Sequence, residues 1–485
     1  MSASARATKV RTTKRATKVA GVGQSRKSGA ARGKGAARGK RASAVRAQPL
    51  EYNLLLTATL CLLAFGAVMV YSSSSASSVL EGNGSGTGEL VKFVVYGALG
   101  LVVMRVLARD GIARVQGLVA PLLVVSLVLV LAVHIPHVGV SVNGARRWIG
   151  AGPLQFQPSE LLKIALVLYG ATLLAHRPGR VHDLRDLCNP LLAVVGLACL
   201  FVISQPDIGT AMIIAFTTCA LLVAAGIPSR NLAIVAGSTL GAVALCAIVL
   251  PYVRSRLTSF IDPWAHASST GFQAVQGQIA IGSGGLFGVG PGQSVQKIFY
   301  LPEAQTDFIL AVIGEELGVV GIFALLFLYG MIAYAGLRVA KAARSLHSAL
   351  IAVGMTSLIV SQAILNTFAV LGLAPLTGVP LPLVSYGSSS LIVTLAAMGL
   401  LLNVAAGGSA HVRAVTPARS RRSRAVSRAG TESPARSGGG AVRREVDASP
   451  REPARWGGEN EDRDSRGGNG RARGAGARGG RRAAR

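Results

Sequence analysis

The 485 residues are 51% hydrophobic and only 15% charged, yet 50 Lys and Arg against 21 Asp and Glu leave a formal net charge of +29. Residues 1–50 hold 14 Lys/Arg and no acid, and residues 409–485 hold 19 Lys/Arg and 8 acids, so the 358 residues between them carry only +4. That partition excludes a single soluble domain, a disulfide framework and a coiled coil.

The first tail (1–50) is Gly, Ala, Ser, Lys and Arg with few large apolar side chains, too few to offset the entropy of ordering it. It is expected to be a disordered cytoplasmic segment that attracts anionic lipid headgroups or acidic partners; without interleaved aromatics it does not resemble a nucleic-acid binder. Ten apolar runs near membrane-crossing length follow: 53–71, 90–107, 115–133, 158–176, 190–204, 208–226, 231–250, 306–336, 348–372 and 383–406. The first outlasts the apolar core of a cleaved signal and is expected to remain as an anchor. The predicted fold is an all-α polytopic membrane protein, with a membrane domain over 51–408 and a second disordered cytoplasmic tail over 409–485.

An even number of spans puts both termini on one side, and the short loops test which side that is. Arg105, Arg109 and Arg114, then Arg177, Arg180 and Arg185, then Arg230, then Arg338, Lys341 and Arg344 fall in alternate loops, which marks the cytoplasmic face. The opposite face receives Glu81 and Glu89, a loop around Pro136 to Pro153, the Gln205-Pro206-Asp207 connection, and a long extracellular segment over 251–305 between the seventh and eighth spans. Four of the five cysteines lie inside apolar runs and Cys188 just ahead of one, with no CxxC pair, so packing is the expected role.

Several polar groups depart from this pattern. Arg146 and Arg147, followed by Trp148, stand on the outer side, where the charge rule would not put them. They read either as structural carboxylate or lipid contacts, or as a site for an anionic, phosphate-bearing ligand. In Gln157-Pro158-Ser159-Glu160-Leu-Leu-Lys163, Glu160 and Lys163 are three apart and can pair on one helix face; alternatively Lys163 meets ligand charge in a polar cavity. Asp207 reads as the cap of the sixth span. The glycine-rich 282–292 stretch lacks the Lys-Ser/Thr and the strand of a P-loop, so it is expected to be a re-entrant or membrane-lying loop. Gln305-Thr306-Asp307 opens the eighth span: Thr306 or Asp307 can cap it, or Asp307, partly desolvated beside the outer arginines, can act as a general base. Helical geometry puts Glu315 roughly 12 Å deeper and Glu316 on the far side. Prolines and small hydroxyl residues from Pro375 to Ser390, Ser385 among them, imply irregular backbone buried in protein or lining a wet cavity.

NGARRWI, QPSELLKI, QPDIGTA, YLPEAQTDFILAVIGEELG and PLPLVSYGSSS, in this order over residues 52 to 406, closely resemble the SEDS family of bacterial cell-wall synthesis, which includes the FtsW, RodA and SpoVE proteins. PEAQTDF followed by GEELG is more similar to the cell-division branch than to the elongation branch, and the basic tails are similar to those of actinobacterial members. The resemblance implies a peptidoglycan glycosyltransferase that polymerises lipid II at the outer face of the cytoplasmic membrane, enriched at the septum. It also implies a class B penicillin-binding protein and other divisome proteins as partners, Asp307 as the essential acid, and Trp148 as a contributor. Gln305 stands where the family commonly has His, and Ser388 where a second Gly is common, so tuned activity is expected. Lipid II carries an α-linked pyrophosphate and the glycan is β-1,4, so each transfer inverts the anomeric carbon and needs a base and a stabilised leaving group. The expected assignment gives Asp307 the first task, and Arg146 and Arg147, with Lys163 or a divalent cation such as Mg or Mn, the second. Gln157, Ser159, Glu160, Gln305, Thr306 and Ser385 are the remaining substrate-binding candidates. A lipid II flippase, an elongation polymerase and a division scaffold are the competing expectations.

Overall fold

The computed structural model describes residues 49–80, 86–142, 145–151, 154–176, 183–298 and 300–408. Both basic tails, Glu81, Arg177 and Arg180 lie outside the described residues.

In chain order the elements are α1 (Leu50–Leu80), α2 (Gly88–Gln116), α3 (Val119–Ala132), β1 (Gly139–Val142), β2 (Ala145–Ala151), β3 (Leu154–Phe156), α4 (Pro158–His176), the short α5 (Leu184–Leu187), α6 (Ala193–Ile203), α7 (Ile208–Ala224), α8 (Ser229–Val249), α9 (Pro251–Ile261), α10 (Phe272–Gly284), α11 (Ile309–Ala342), α12 (Leu346–Val370) and α13 (Ser388–Ala405). Every expected span coincides with an apolar helix. Eight spans are long and apolar enough to cross a membrane, counting Leu184–Ile203 as one, and α3 and α7 are shorter apolar helices.

The spans are not equivalent. In α13, α4 and α12, 78%, 72% and 67% of the most apolar window is buried, against 6% in α8, so the first three form the centre and α8 lies at the periphery. Lipid is as apolar as leucine, so helices in it associate through close packing. α2 and α13 do this with glycine. A Cβ at Gly100 would come within 2.5 Å of a Leu395 methyl, and one at Gly399 within 2.6 Å of the Met104 carbonyl.

Helix α11 is broken at Gly318, whose φ of 67° is open to glycine at little cost. The 285–290 segment threads into the break. Val289 and Gly290 N–H donate to the carbonyls of Glu315 and Glu316 at 2.9 and 3.0 Å, and Val319 and Val320 N–H donate to Gly285 and Leu286 at 3.1 and 3.2 Å. Backbone groups freed from the helix are thus paired within the protein, which is the condition for irregular structure at membrane depth. The glycine-rich stretch thus inserts its backbone into the break of a helix.

Two outer segments hold more structure than expected. The 136–153 region carries an antiparallel sheet of order β1-β2-β3, with a bulge between Val140 and Ser141. The 251–305 segment carries α9 and α10. Strands of three to seven residues and a polar eleven-residue helix give no hydropathy signal of their own. By the alternation of the spans, the sheet, the 205–207 turn, α9, α10 and the segments 301–308 and 374–387 share one end of the bundle.

Candidate active site

Strand β2 sets the first part of the site. Val140 pairs with Trp148 and Ser141 with Arg146, so Arg147 is the extra residue of the bulge, where a strand re-aims a side chain. Arg146 is exposed and Trp148 half-buried. Arg147 turns inward: its Nε donates to the Gln205 carbonyl at 3.0 Å, one Nη to the Pro206 carbonyl, and the same Nη to the Tyr252 hydroxyl at 3.3 Å. It therefore ties the 205–207 turn and α9 to the sheet, and its other Nη remains directed at Gly378.

Asp207 caps α7 as expected, accepting from the Thr210 N–H at 3.1 Å and hydroxyl at 2.8 Å. Its second oxygen also accepts from the Gln157 amide at 3.2 Å, which joins α4 to the turn. Gln157 N–H donates to the Ser389 hydroxyl at 3.3 Å, bringing the start of α13 to the same place.

Asp307 does not cap α11. The cap position is Phe308, and it makes no side-chain cap bond. Instead the Thr306 hydroxyl donates to the Asp307 carboxylate at 3.2 Å and Asn366 on α12 holds the Asp307 carbonyl at 2.7 Å. The second Asn366 N–H holds the Val379 carbonyl at 2.8 Å, so one buried amide joins the acidic loop to the proline-rich loop. Tyr386 N–H completes this by donating to the Gln305 carbonyl at 2.9 Å. A Cβ on Gly378 would lie 3.8 Å from Asp307 Oδ2 and 4.0 Å from Arg147 Nη1, so carboxylate and guanidinium flank one point of the backbone. Burial pushes the Asp307 carboxyl up to about 6; Glu303 adds to the rise, while a backbone N–H, Thr306 and Arg256 oppose it.

The remaining candidates serve other ends. Lys163 donates to Glu160 and Gln362, each at 2.9 Å, and all three are buried further down the bundle. Gln362 passes the connection to the Pro380 carbonyl at 2.9 Å. This closed network is the pairing expected on one helix face and does not present Lys163 to an outer ligand. Ser159 is fully buried. Ser385 accepts from Leu381 N–H at 2.8 Å inside its own turn. Gln305 and Thr306 are half-buried beside Asp307. The adjacent glutamates act as loop anchors. Glu315 accepts from the Ser294 hydroxyl and from Val295 and Gln296 N–H at 2.9 and 3.4 Å, and Glu316 pairs with Lys297 at 2.8 Å and receives the Ser72 hydroxyl at 2.7 Å.

Sequence reasoning did not single out Tyr252 and Arg256. Arg256 stacks over the Tyr252 ring at 4.6 Å and donates to the Leu376 carbonyl at 2.5 Å. Burial lowers its pKa, and Tyr252, Arg147, Asp307 and Asp207 are all close enough to act on its charge. The signal was available: Tyr252 and Arg256 are four apart behind Pro251, and two further outer arginines, Arg254 and Arg256, break the charge rule as Arg146 and Arg147 do. Among the described residues no three His, Cys, Asp or Glu side chains gather into a metal-holding group.

A family model described as "Cell cycle protein", covering the FtsW, RodA and SpoVE proteins, matches residues 52–409. Stage V sporulation protein E of Bacillus subtilis (strain 168) is 37% identical over 353 residues, 72% of this chain and 96% of that protein. The probable peptidoglycan glycosyltransferase FtsW of Coxiella burnetii (strain RSA 493 / Nine Mile phase I) is 39% identical over 352 residues, 72% of this chain and 94% of that protein. Among solved structures, a peptidoglycan synthase complex described as coordinating polymerization and crosslinking contains a chain with TM-score 0.60 and 32% identity, covering 72% of this chain and 96% of that chain. The rod shape determining protein RodA of Thermus thermophilus aligns with TM-score 0.54 and 30% identity, over 74% of this chain and 97% of that chain.

Proposed function

The chain belongs to the FtsW, RodA and SpoVE family of multi-pass membrane proteins and is a peptidoglycan glycosyltransferase of septal wall synthesis, and from that premise we propose that it polymerises lipid II with Asp307 as general base. The observation that carries the assignment is a carboxyl raised to about 6, placed opposite the free edge of Arg147 and within the field of Arg256. A base with that pKa is ionised at neutral pH and still accepts a proton as the acceptor hydroxyl attacks.

The hydroxyl oxygen forms a bond to the anomeric carbon, the bond to pyrophosphate breaks on the opposite face, and the hydroxyl proton passes to Asp307. Arg147 Nη1 and Arg256 stabilise the departing pyrophosphate, with Arg146 gathering the anionic lipid from solvent. Asn366, Gln157 and Tyr386 hold the three loops together. Lys163 keeps the framework beneath them and takes no charge from the ligand. A transport reading would need open charge along the crossing path, and here Lys163 is already matched by Glu160 and Gln362. By the same family reading, a class B penicillin-binding protein crosslinks the product, other divisome proteins recruit the pair, and the protein concentrates at the septum.

Lipid II polymerisation by purified protein, with and without that partner, tests the proposal. Wild type is expected to make glycan strands. Asp307→Ala is expected to reduce the rate at least about 1,000-fold while remaining inserted and folded, the scale of removing a base together with its electrostatic role. Near-normal polymer from this variant would remove Asp307 from the chemistry. Lipid II translocation without polymer would favour a flippase.

A further inference from the structure

A cavity of about 510 Å³ opens beside the acidic loop, bounded by α9, by α10 and by the segment following α12. Its volume is within the roughly 300–1,000 Å³ of small-molecule sites. Tyr252, Ser255, Arg256 and Ser259 line it from one face of α9, and Gln273, Ala274 and Gln278 from α10. The spacing along α9, at 0, 3, 4 and 7, puts these four side chains in one stripe. Apart from Arg256 the polar groups are neutral hydroxyls and amides, set against the Tyr252 and Phe260 rings.

Gly372 shows that room is kept for one of these groups. Its φ is 72°, and a Cβ there would lie 2.4 Å from the Gln278 amide nitrogen. The Gln278 amide is half-buried and makes no hydrogen bond among the described residues, which leaves both its donor and acceptor sides for a ligand.

The cavity is also close to the base. Leu376 forms part of its wall, and Gly378, two residues further on, is the point flanked by Asp307 Oδ2 and Arg147 Nη1. Two residues span at most about 7 Å. From the other side, Gly277 on α10 receives the ring of Phe308, the neighbour of Asp307: a Cβ at Gly277 would lie 2.6 Å from it. Gln273 donates to the Pro302 carbonyl at 3.3 Å, which fixes α10 to the loop that carries Asp307.

We propose that this cavity binds the N-acetylated sugar of the acceptor substrate, the one whose hydroxyl is deprotonated by Asp307. The inference rests on the polymerase reading above. A neutral ligand rich in hydroxyls and amides matches Ser255, Ser259, Gln273 and Gln278, and an aromatic ring suits a sugar face. A pyrophosphate would require more cations, and a polyprenyl chain would leave the glutamine amides unpaired. The division of labour follows: Arg147, with Arg256 at the edge that the two sites share, takes the leaving group of the donor, and the hydroxyls and amides of the α9–α10 cavity hold the acceptor.

The test uses full-length protein in detergent with Gln278→Ala and Ala274→Trp, the second filling the cavity from α10. The probe is the lipid-free disaccharide pentapeptide, followed by saturation-transfer NMR and as a competitor in lipid II polymerisation. Wild type is expected to bind it and to be inhibited competitively. Gln278→Ala should raise KM for lipid II about 10-fold with kcat nearly unchanged, as for loss of a binding hydrogen bond. Ala274→Trp should lose both polymer and probe binding, while still being protected against heat by undecaprenyl pyrophosphate, which reports a folded protein with its anion site intact. Equal probe binding by wild type and Ala274→Trp, or no binding by wild type, would overturn the assignment. If wild type makes no polymer but binds the probe and Ala274→Trp does not, the polymerase reading fails and the sugar site stands.

Discussion

Asp307 is costly to keep charged, and its energetic role can be separated from its chemical one. Its folded pKa of about 6 lies above the ordinary 3.8, because burial and Glu303 disfavour the carboxylate more than Thr306 and Arg256 favour it. A raised carboxyl pKa means that the folded state holds the proton longer than the unfolded chain. Stability is therefore greatest below pH 3.8, and falls as pH rises between 3.8 and about 6. Above that window the carboxylate costs on the order of 1–2 kcal/mol, after allowance for its solvent-facing part. Asp307→Asn is expected to raise the melting temperature in detergent more at pH 8 than at pH 5. Polymerisation by wild type should decline as pH falls through about 6, where the base becomes protonated. An equal effect of Asp307→Asn at both pH values would mean that the carboxyl titrates normally.

The element that presents Asp307 is anchored by two adjacent glutamates on either side of a helix turn. Glu315 holds Ser294 and two backbone N–H groups, and Glu316 holds Lys297 and, through Ser72, α1. The Lys297 ammonium is fully committed, with the Glu316 carboxylate at 2.8 Å, the Gly292 carbonyl at 2.9 Å and the Ser72 hydroxyl at 3.3 Å. A buried pair of this kind contributes little net stability over an apolar replacement, but removal of one partner leaves an unmatched charge. Lys297→Met is expected to cost about 3–5 kcal/mol and to loosen the 285–297 loop. Adding Glu316→Gln to it should restore most of the loss. Thermal unfolding of the single and double variants measures this coupling, and additive losses would show that the two groups act separately. Gly318 belongs to the same device, because a Cβ there would lie 2.4 Å from the Gly288 nitrogen at a φ that only glycine adopts freely.

At the scale of the whole molecule, the parts governed by the bilayer were the legible ones. A span must be apolar for about 20 residues, and Glu160 with Lys163 inside one had to find partners, so spans and pair were readable from spacing alone. The site was legible as motifs but not as geometry. Whether Arg147 faces solvent or the Gln205 carbonyl depends on strand register and a bulge, and neither leaves a mark in hydropathy. Tyr252 meets Arg147, and Arg256 acts on the charge of Asp307, across a long sequence separation that has no local signature. The tails are the opposite case, since their charge is plain in the sequence, and the contacts described around Asp307 are made by residues of the membrane domain. Deleting residues 1–48 and 409–485 removes 33 of the 50 Lys and Arg. Each basic residue near an anionic surface contributes about 1 kcal/mol of attraction, which falls away within a Debye length as salt rises. In liposomes of neutral lipid the truncated protein is expected to polymerise lipid II within about 2-fold of the full chain, because no residue of the α4, α9, α11 and α12 site is touched. In liposomes rich in anionic lipid, the full chain alone should show a response that salt abolishes. Loss of polymerisation in neutral liposomes would make the tails part of the catalytic machinery, and an identical salt response in both proteins would place the lipid contact on the membrane domain instead.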